Sequence, residues 1–160
     1  MSDPERVSVT RRIAAPARTI FELITDPHGH VRIDGSGMLV AADRSERLAN
    51  VGDAFEMDMD REPLGDIPLG RYRVRNVVTR IVPDQQLEWS VGGVERGPYG
   101  HVYGYLLSPV DDGSTDVTSY CDWSGVPEHR KARSTWPIVP LSMLERSLAN
   151  LDRLLTGAGP

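Results

Sequence analysis

Few residues of this 160-residue chain have the type and spacing that chemistry demands, and most of them fall in its second half. His101, Tyr103 and Tyr105 recur at every second position, so in an extended strand their rings share one face. Trp89, Tyr120, Trp123 and Trp136 occur in neighbouring segments. Tyrosine and tryptophan combine a large apolar surface with one hydrogen-bonding tip, which suits the wall of a small-molecule cavity. The same rings are ordinary core residues, so the set either fills the interior or lines a space within it. Met57 and Met59, again two apart, either pack as core or offer polarizable thioethers to an apolar ligand of variable shape. If the space supports a reaction, the weak candidates for acid or base are His101, Tyr103 and Asp34, each of which needs reach of the reacting proton and a suitable pKa. Asp34, beside a glycine turn, and Asp122, next to Trp123, are the carboxylates placed for a mouth or lining role, and both also suit a turn or helix cap.

Other chemistries are poorly provided for. His28 and His30 stand two apart rather than at the i, i+4 spacing of a helical metal pair, and no third ligand follows at zinc spacing, so no metal is expected. Cys121 shares strand parity with Val117 and Trp123 and reads as a small buried hydrophobe. No nucleophile elbow, phosphate loop or dinucleotide fingerprint occurs, because Gly35-Ser36-Gly37 lacks both the third glycine and the following helix; no cofactor is expected. With 23 acidic and 18 basic residues the formal net charge is −5, which argues against binding nucleic acid. Arg71, Arg73 and Arg75 share one strand face, which reads as a solvated outer surface with Tyr72 and Val74 pointing inward. A single cysteine, no apolar run of about 18 residues and no apolar signal-peptide core at the start point to a cytoplasmic protein without a membrane span.

The elements that position these residues are set by periodicity. In residues 140–155, Leu141, Leu144, Leu148, Leu151 and Leu155 alternate in steps of three and four, which predicts a helix with one apolar stripe. Ser142 and Glu145 have the spacing of a capping box, and Gly157 follows as a C-terminal glycine. Burying a leucine stabilises a fold by ~1.5–3 kcal/mol, so five of them in water would forfeit an amount comparable to a domain's net stability of roughly 5–15 kcal/mol. The stripe must lie on something. From 38 to 123 the dominant period is two, with Phe55, Met57 and Met59 alternating against acids and further strands at 72–82, 86–91, 101–107 and 116–123. Pro83-Asp84 and residues 111–114 supply turns. Upstream, a strand at 7–13 precedes a short helix at 16–25, stopped by Asp26-Pro27, a helical turn at 28–33 and a tight loop at 34–37. Successive strands with short turns imply an antiparallel meander whose covered face receives the leucine helix, in one domain spanning 1–160.

That order, with the residues that carry it, resembles the START and polyketide cyclase-like (SRPBCC, Bet v 1-like) superfamily. VSVTRRIAAPARTIFELITDPHGH is similar to its usual opening, and IDGSGM, VGDAFEMDMD, GHVYGY and CDWSGVPE are similar to a bacterial subgroup of mostly uncharacterised members. The resemblance implies an α+β helix-grip fold: a curved antiparallel sheet of about six to seven strands wrapped around a long C-terminal helix, with two short helices after the first strand. It also implies a cavity between sheet and helix that in relatives holds lipids, sterols, plant hormones or polyketide intermediates. The expected function is binding of a hydrophobic small molecule by Met57, Met59, Trp89, His101, Tyr103, Tyr105, Tyr120, Trp123, Trp136, Leu144 and Leu148. Trp136 and the prolines before the helix would form the gate. A cyclase or dehydratase is the alternative, and a partner-binding module with a filled core the third reading; the protein is expected as a monomer or homodimer. Residues 136–140 depart from the subgroup's more regular helical lead-in.

Overall fold

The computed structural model describes residues 5–42 and 46–157; residues 1–4 and 158–160 of the expected single-domain span lie outside it. Its frame is one seven-stranded sheet, antiparallel throughout. In chain order the strands are β1 (Arg6–Ile13), β2 (Leu39–Ala42), β3 (Ala54–Asp60), β4 (Arg71–Val82), β5 (Gln86–Gly93), β6 (Gly97–Asp111) and β7 (Ser114–Asp122). They lie side by side as β1-β7-β6-β5-β4-β3-β2. The meander runs from β2 to β7, and β1 closes it from the far side. Between β1 and β2 the chain must therefore cross from one edge of the sheet to the other. Helices α1 (Ala17–Ile24) and α2 (Pro27–Ile33) carry that crossing. Asp26-Pro27 ends the first and opens the second: the Asp26 carboxylate accepts from the His28 amide at 3.0 Å, and Pro27 takes the first turn, where no amide is needed.

Strand parity follows the sequence. On β4, Val74, Asn76 and Val78 are buried while Arg71, Arg73 and Arg75 are exposed. The arginines form a ladder across the outer face, where Arg73 meets Asp58 at 2.9 Å and Glu56 at 3.3 Å. Register shifts between 78 and 80, between 90 and 92 and between 109 and 111 interrupt the pairing, and such irregularities bend the strands that carry them.

Helix α4 (Leu141–Thr156) rests on β1, β7 and α2, beyond the four-residue helix α3 (Glu128–Lys131). Leu144, Leu148 and Leu151 are buried, whereas Leu141 is exposed. The expected capping box does not form. Pro140 is the N-cap and makes no side-chain bond, which leaves Ser142 already inside the first turn. Tertiary bonds anchor the helix instead: Arg11 of β1 pairs with Asp152 at 2.8 Å, Asn150 Nδ2 donates to the Ile33 carbonyl at 3.1 Å, and the Gly35 amide donates to Ser147 Oγ at 2.7 Å. Gly35 is needed there, because a Cβ would lie 2.4 Å from the Met143 carbonyl oxygen and 2.6 Å from the Ser147 nitrogen.

Two strand expectations change. β2 is four residues long with one register shift, too short to show a period of two. β6 extends to fifteen residues, well past 101–107, because Pro98, Gly100 and Pro109 hide its ends from a propensity reading. Among the described residues no helix is long and apolar enough to cross a membrane.

Candidate ligand cavity

Helix α4 packs on β1 and β7 and α1 reaches β6, while part of the inner face of β3 to β6 looks onto open space. The space above it is a cavity of about 480 Å³, within the range of roughly 300–1,000 Å³ typical of small-molecule sites. Met57, Met59, Val74, Trp89, Tyr103 and Tyr105 form its floor; His30, Ile33, Leu144, Ile138 and Val139 close it from the helical side. Its exposed lining residues, Ile67, Leu69, Arg96, His129, Arg133 and Ser134, mark the mouth. The interior is hollow rather than filled.

A run of rings leads through it. Tyr99 stacks on His101 with centroids 6.3 Å apart, and His101 meets Tyr103 edge-on at 5.6 Å and Trp136 at 5.0 Å. Trp89 lies 6.3 Å from Tyr103 and 5.9 Å from Tyr105, and on its other side meets His30 at 4.7 Å and Phe55 at 6.5 Å. The alternation of β6 places Tyr99 to Tyr105 on one face, and pairing of Trp89 with Tyr103 brings β5 into line.

Three polar atoms in these walls are buried without a hydrogen-bond partner among the described residues: Asn76 Oδ1, His101 Nδ1 and Trp136 Nε1. Asn76 is 6% exposed and His101 5%. A buried polar group without a partner costs ~1–3 kcal/mol, so their gathering around one space is unusual for packing alone. Burial pushes the His101 imidazole down to about 4, which leaves it neutral at pH 7. His30 is also lowered by burial; its Nε2 donates to the Ile24 carbonyl at 2.6 Å, since a carbonyl can only accept. Burial raises Tyr103 and Tyr105 above the ordinary phenol range, keeping both as hydrogen-bond donors.

Of the residues expected from the sequence, Met57, Met59, Trp89, His101, Tyr103, Tyr105, Trp136 and Leu144 converge on the cavity, and so does Asp34. Asp34 is nonetheless occupied by its own turn: Oδ1 accepts from the Ser36 amide at 3.0 Å and the Ser36 hydroxyl at 2.7 Å, and Oδ2 from the Leu39 amide at 3.0 Å. Its geometry is that of a turn clamp. Asp122 likewise bonds Ser124 and pairs with Arg6.

Tyr120, Trp123 and Leu148 fall outside the lining. Tyr120 points to the opposite face, where its ring covers Gly104 so closely that a Cβ there would sit 2.3 Å from it. Its hydroxyl donates to Glu88 at 2.8 Å and accepts from Gln86 at 3.0 Å. Period two separates it from Val117 and Cys121, whereas its apolar ring with a polar tip suggests the cavity. Trp123 stacks behind Trp136 at 6.4 Å, in a small cluster with Cys121 and Val126. The Cys121 thiol is pushed up to about 12 by burial and is inert. Leu148 belongs to the solid core at the β1 end.

Other lining residues were not anticipated: His30, Asn76, Tyr99 and the arginines Arg96, Arg130 and Arg133. Asn76 left a legible signal, an amide on the inward parity of an apolar strand face. The arginines left none, because they come from a turn and a short helix with no period.

Comparison with known proteins fits this architecture. No family model matches the chain. It is 31% identical over 120 residues to Uncharacterized protein Rv0088 of Mycobacterium tuberculosis, an alignment covering 75% of this chain and 48% of Rv0088. The chain thus spans about half the length of the curated relatives it matches. Among solved structures it superposes on protein CV1439 from Chromobacterium violaceum with a TM-score of 0.66 at 18% identity, covering 95% of this chain and 97% of that one. It superposes on norcoclaurine synthase from Thalictrum flavum, in complex with dopamine and hydroxybenzaldehyde, with a TM-score of 0.64 at 15% identity, covering 97% and 88%. At those identities the superpositions speak for the fold alone. The chain has the helix-grip fold that it shares with CV1439 and norcoclaurine synthase, and over 120 residues it is homologous to Rv0088.

Proposed function

We propose that this chain binds a hydrophobic small molecule, aromatic or lipid-like, in the cavity between the sheet and α4. The observation that carries the reading is the set of unpartnered polar atoms, Asn76 Oδ1, His101 Nδ1 and Trp136 Nε1, in otherwise apolar and aromatic walls. A purely structural core would leave such groups out or pair them. A ligand with one or two oxygen atoms near His101 would satisfy them, while its apolar body covers Met57, Met59 and Trp89. Titration with a panel of fatty acids, sterols and flavonoids, followed by tryptophan fluorescence, should show saturable binding at micromolar concentration or below. Mass spectrometry of an extract of the purified protein should find a bound compound. A panel without any saturable member would sink the reading.

A cyclase or dehydratase is the second reading, favoured by the neutral His101 beside the Tyr103 phenol. A same-fold structure, norcoclaurine synthase, is described in complex with dopamine and hydroxybenzaldehyde. In that scheme Tyr103 donates to a substrate carbonyl and His101 accepts a proton. An imidazole held at about 4 is a weak base at neutral pH, which places binding ahead of catalysis. Turnover of a model polyketone that survives both His101→Ala and Tyr103→Phe would remove these two roles.

A further inference from the structure

The mouth of the cavity carries unbalanced positive charge in a chain whose net charge is −5. Several other arginines are matched by acids: Arg11 with Asp152, Arg12 with Asp116, Arg73 with Asp58, and Arg61, itself a lining residue, with Asp66 at 2.7 Å. Arg96, Arg130 and Arg133 line the cavity and have no carboxylate partner among the described residues. Two of them lie by one ring, Tyr99. The Arg130 guanidinium sits 5.3 Å from the centroid of Tyr99. Gly93 brings Arg96 to the same place, since a Cβ built on it would lie 3.2 Å from the Tyr99 hydroxyl and 3.3 Å from Arg96 Cβ. Arg133 follows Arg130 by three residues. Tyr99 in turn stacks on His101, whose buried Nδ1 lacks a partner, so the charged mouth is continuous with the unpaired polar interior.

We propose that the ligand is an amphiphile whose anionic oxyacid group, carboxylate or phosphate, seats on Arg96, Arg130 and Arg133 while its apolar body enters the cavity. Guanidinium groups suit such an acid because they donate paired hydrogen bonds to two oxygens at once. This rests on the binding reading above, and the test separates the two. Tryptophan fluorescence is titrated at low and high salt with two matched pairs, dodecanoate with dodecanol and naphthylacetate with naphthylethanol. Dodecyl phosphate, with the same tail as dodecanoate, tells which oxyacid is preferred. In at least one series the acid should bind about tenfold or more tightly than its alcohol, as expected of a charge-assisted contact, and the advantage should shrink as salt rises. The triple variant Arg96→Gln, Arg130→Gln, Arg133→Gln should lose that advantage and keep its affinity for the alcohol. Equal affinity for acid and alcohol overturns the anionic ligand and leaves the cavity reading standing. An acid preference that persists in the triple variant overturns the seat on the arginines. Absence of binding in both series overturns both proposals.

Discussion

At the β1 and β7 end of the interior, Ile13, Ile20, Ile24, Val117, Leu148 and Leu151 meet with 0–1% of their surfaces exposed. Farther along β3 to β6, beyond the packed Phe55, Val78, Leu87 and Leu107, stand Met57, Trp89, His101, Tyr103 and Tyr105, which border about 480 Å³ of space. The same sheet supplies both floors, so the difference comes from side-chain shape and from what lies opposite. Branched and flexible aliphatics interdigitate to crystal-like density. Flat rings with fixed polar tips stand against one another at 5 to 6 Å and leave room beside them, although His30 of α2 meets Trp89. One end is packed solid and the other borders a space.

The sharpest way to break this contrast is to truncate one leucine at each end. Leu148→Ala should destabilise the protein by about 2–5 kcal/mol in a denaturant titration, since it opens a cavity in solid core. Leu144→Ala, which enlarges an existing space, should cost about half as much and should also weaken ligand binding. Equal losses at both positions would erase the distinction between the two ends.

Acid should act on the hollow end next. His101 is at about 4 in the fold against 6.5 for a free imidazole, so the unfolded chain takes up the proton first as pH falls. Stability is therefore unaffected by this group above about pH 6.5, declines as pH drops toward 4, and levels off below it. At about 1.36 kcal/mol per unit the loss is on the order of 3 kcal/mol. His30 adds in the same direction. Measured against the parent, His101→Phe should flatten this part of the pH–stability curve; an unchanged slope would mean that the imidazole charges inside the fold.

The smallest effect is also the most diagnostic. Asn76→Leu removes a buried oxygen without a partner, keeps the branching of the side chain and has the cavity to take its larger methyls, and should stabilise the ligand-free protein by about 1 kcal/mol while weakening binding. Thermal denaturation with and without ligand reads both. Destabilisation of the ligand-free form would show that the amide serves the core.

Legibility follows the same division. The leucine stripe of α4, the alternation of β3, β4 and β5 and the inward face of His101, Tyr103 and Tyr105 are periodic features, and they are found where the period places them except at Leu141, which is exposed in the first turn. What escaped prediction is aperiodic. The capping box at Ser142 and Glu145 is a local motif overridden by Pro140, because bonds from Gly35, Asn150 and Arg11 hold the helix in place of a cap. Tyr120 is expected at the cavity because its ring combines apolar surface with a polar tip, yet parity governs which face a strand residue occupies, and its ring lies over Gly104 on the outer one.

The sequence by itself determined the elements, their order and the face of each strand, because side-chain direction along a strand or helix repeats with a local period. It also held the material of a cavity, rings and thioethers at alternate positions. Only the tertiary structure decided that the space stays open. That depends on where α4 comes to rest, and its seat on β1, β7 and the Gly35 turn is set by contacts more than a hundred residues apart in the chain. The same long-range placement brings Arg96, Arg130 and Arg133 to one cavity, with Arg130 over Tyr99, a juxtaposition that no local pattern records.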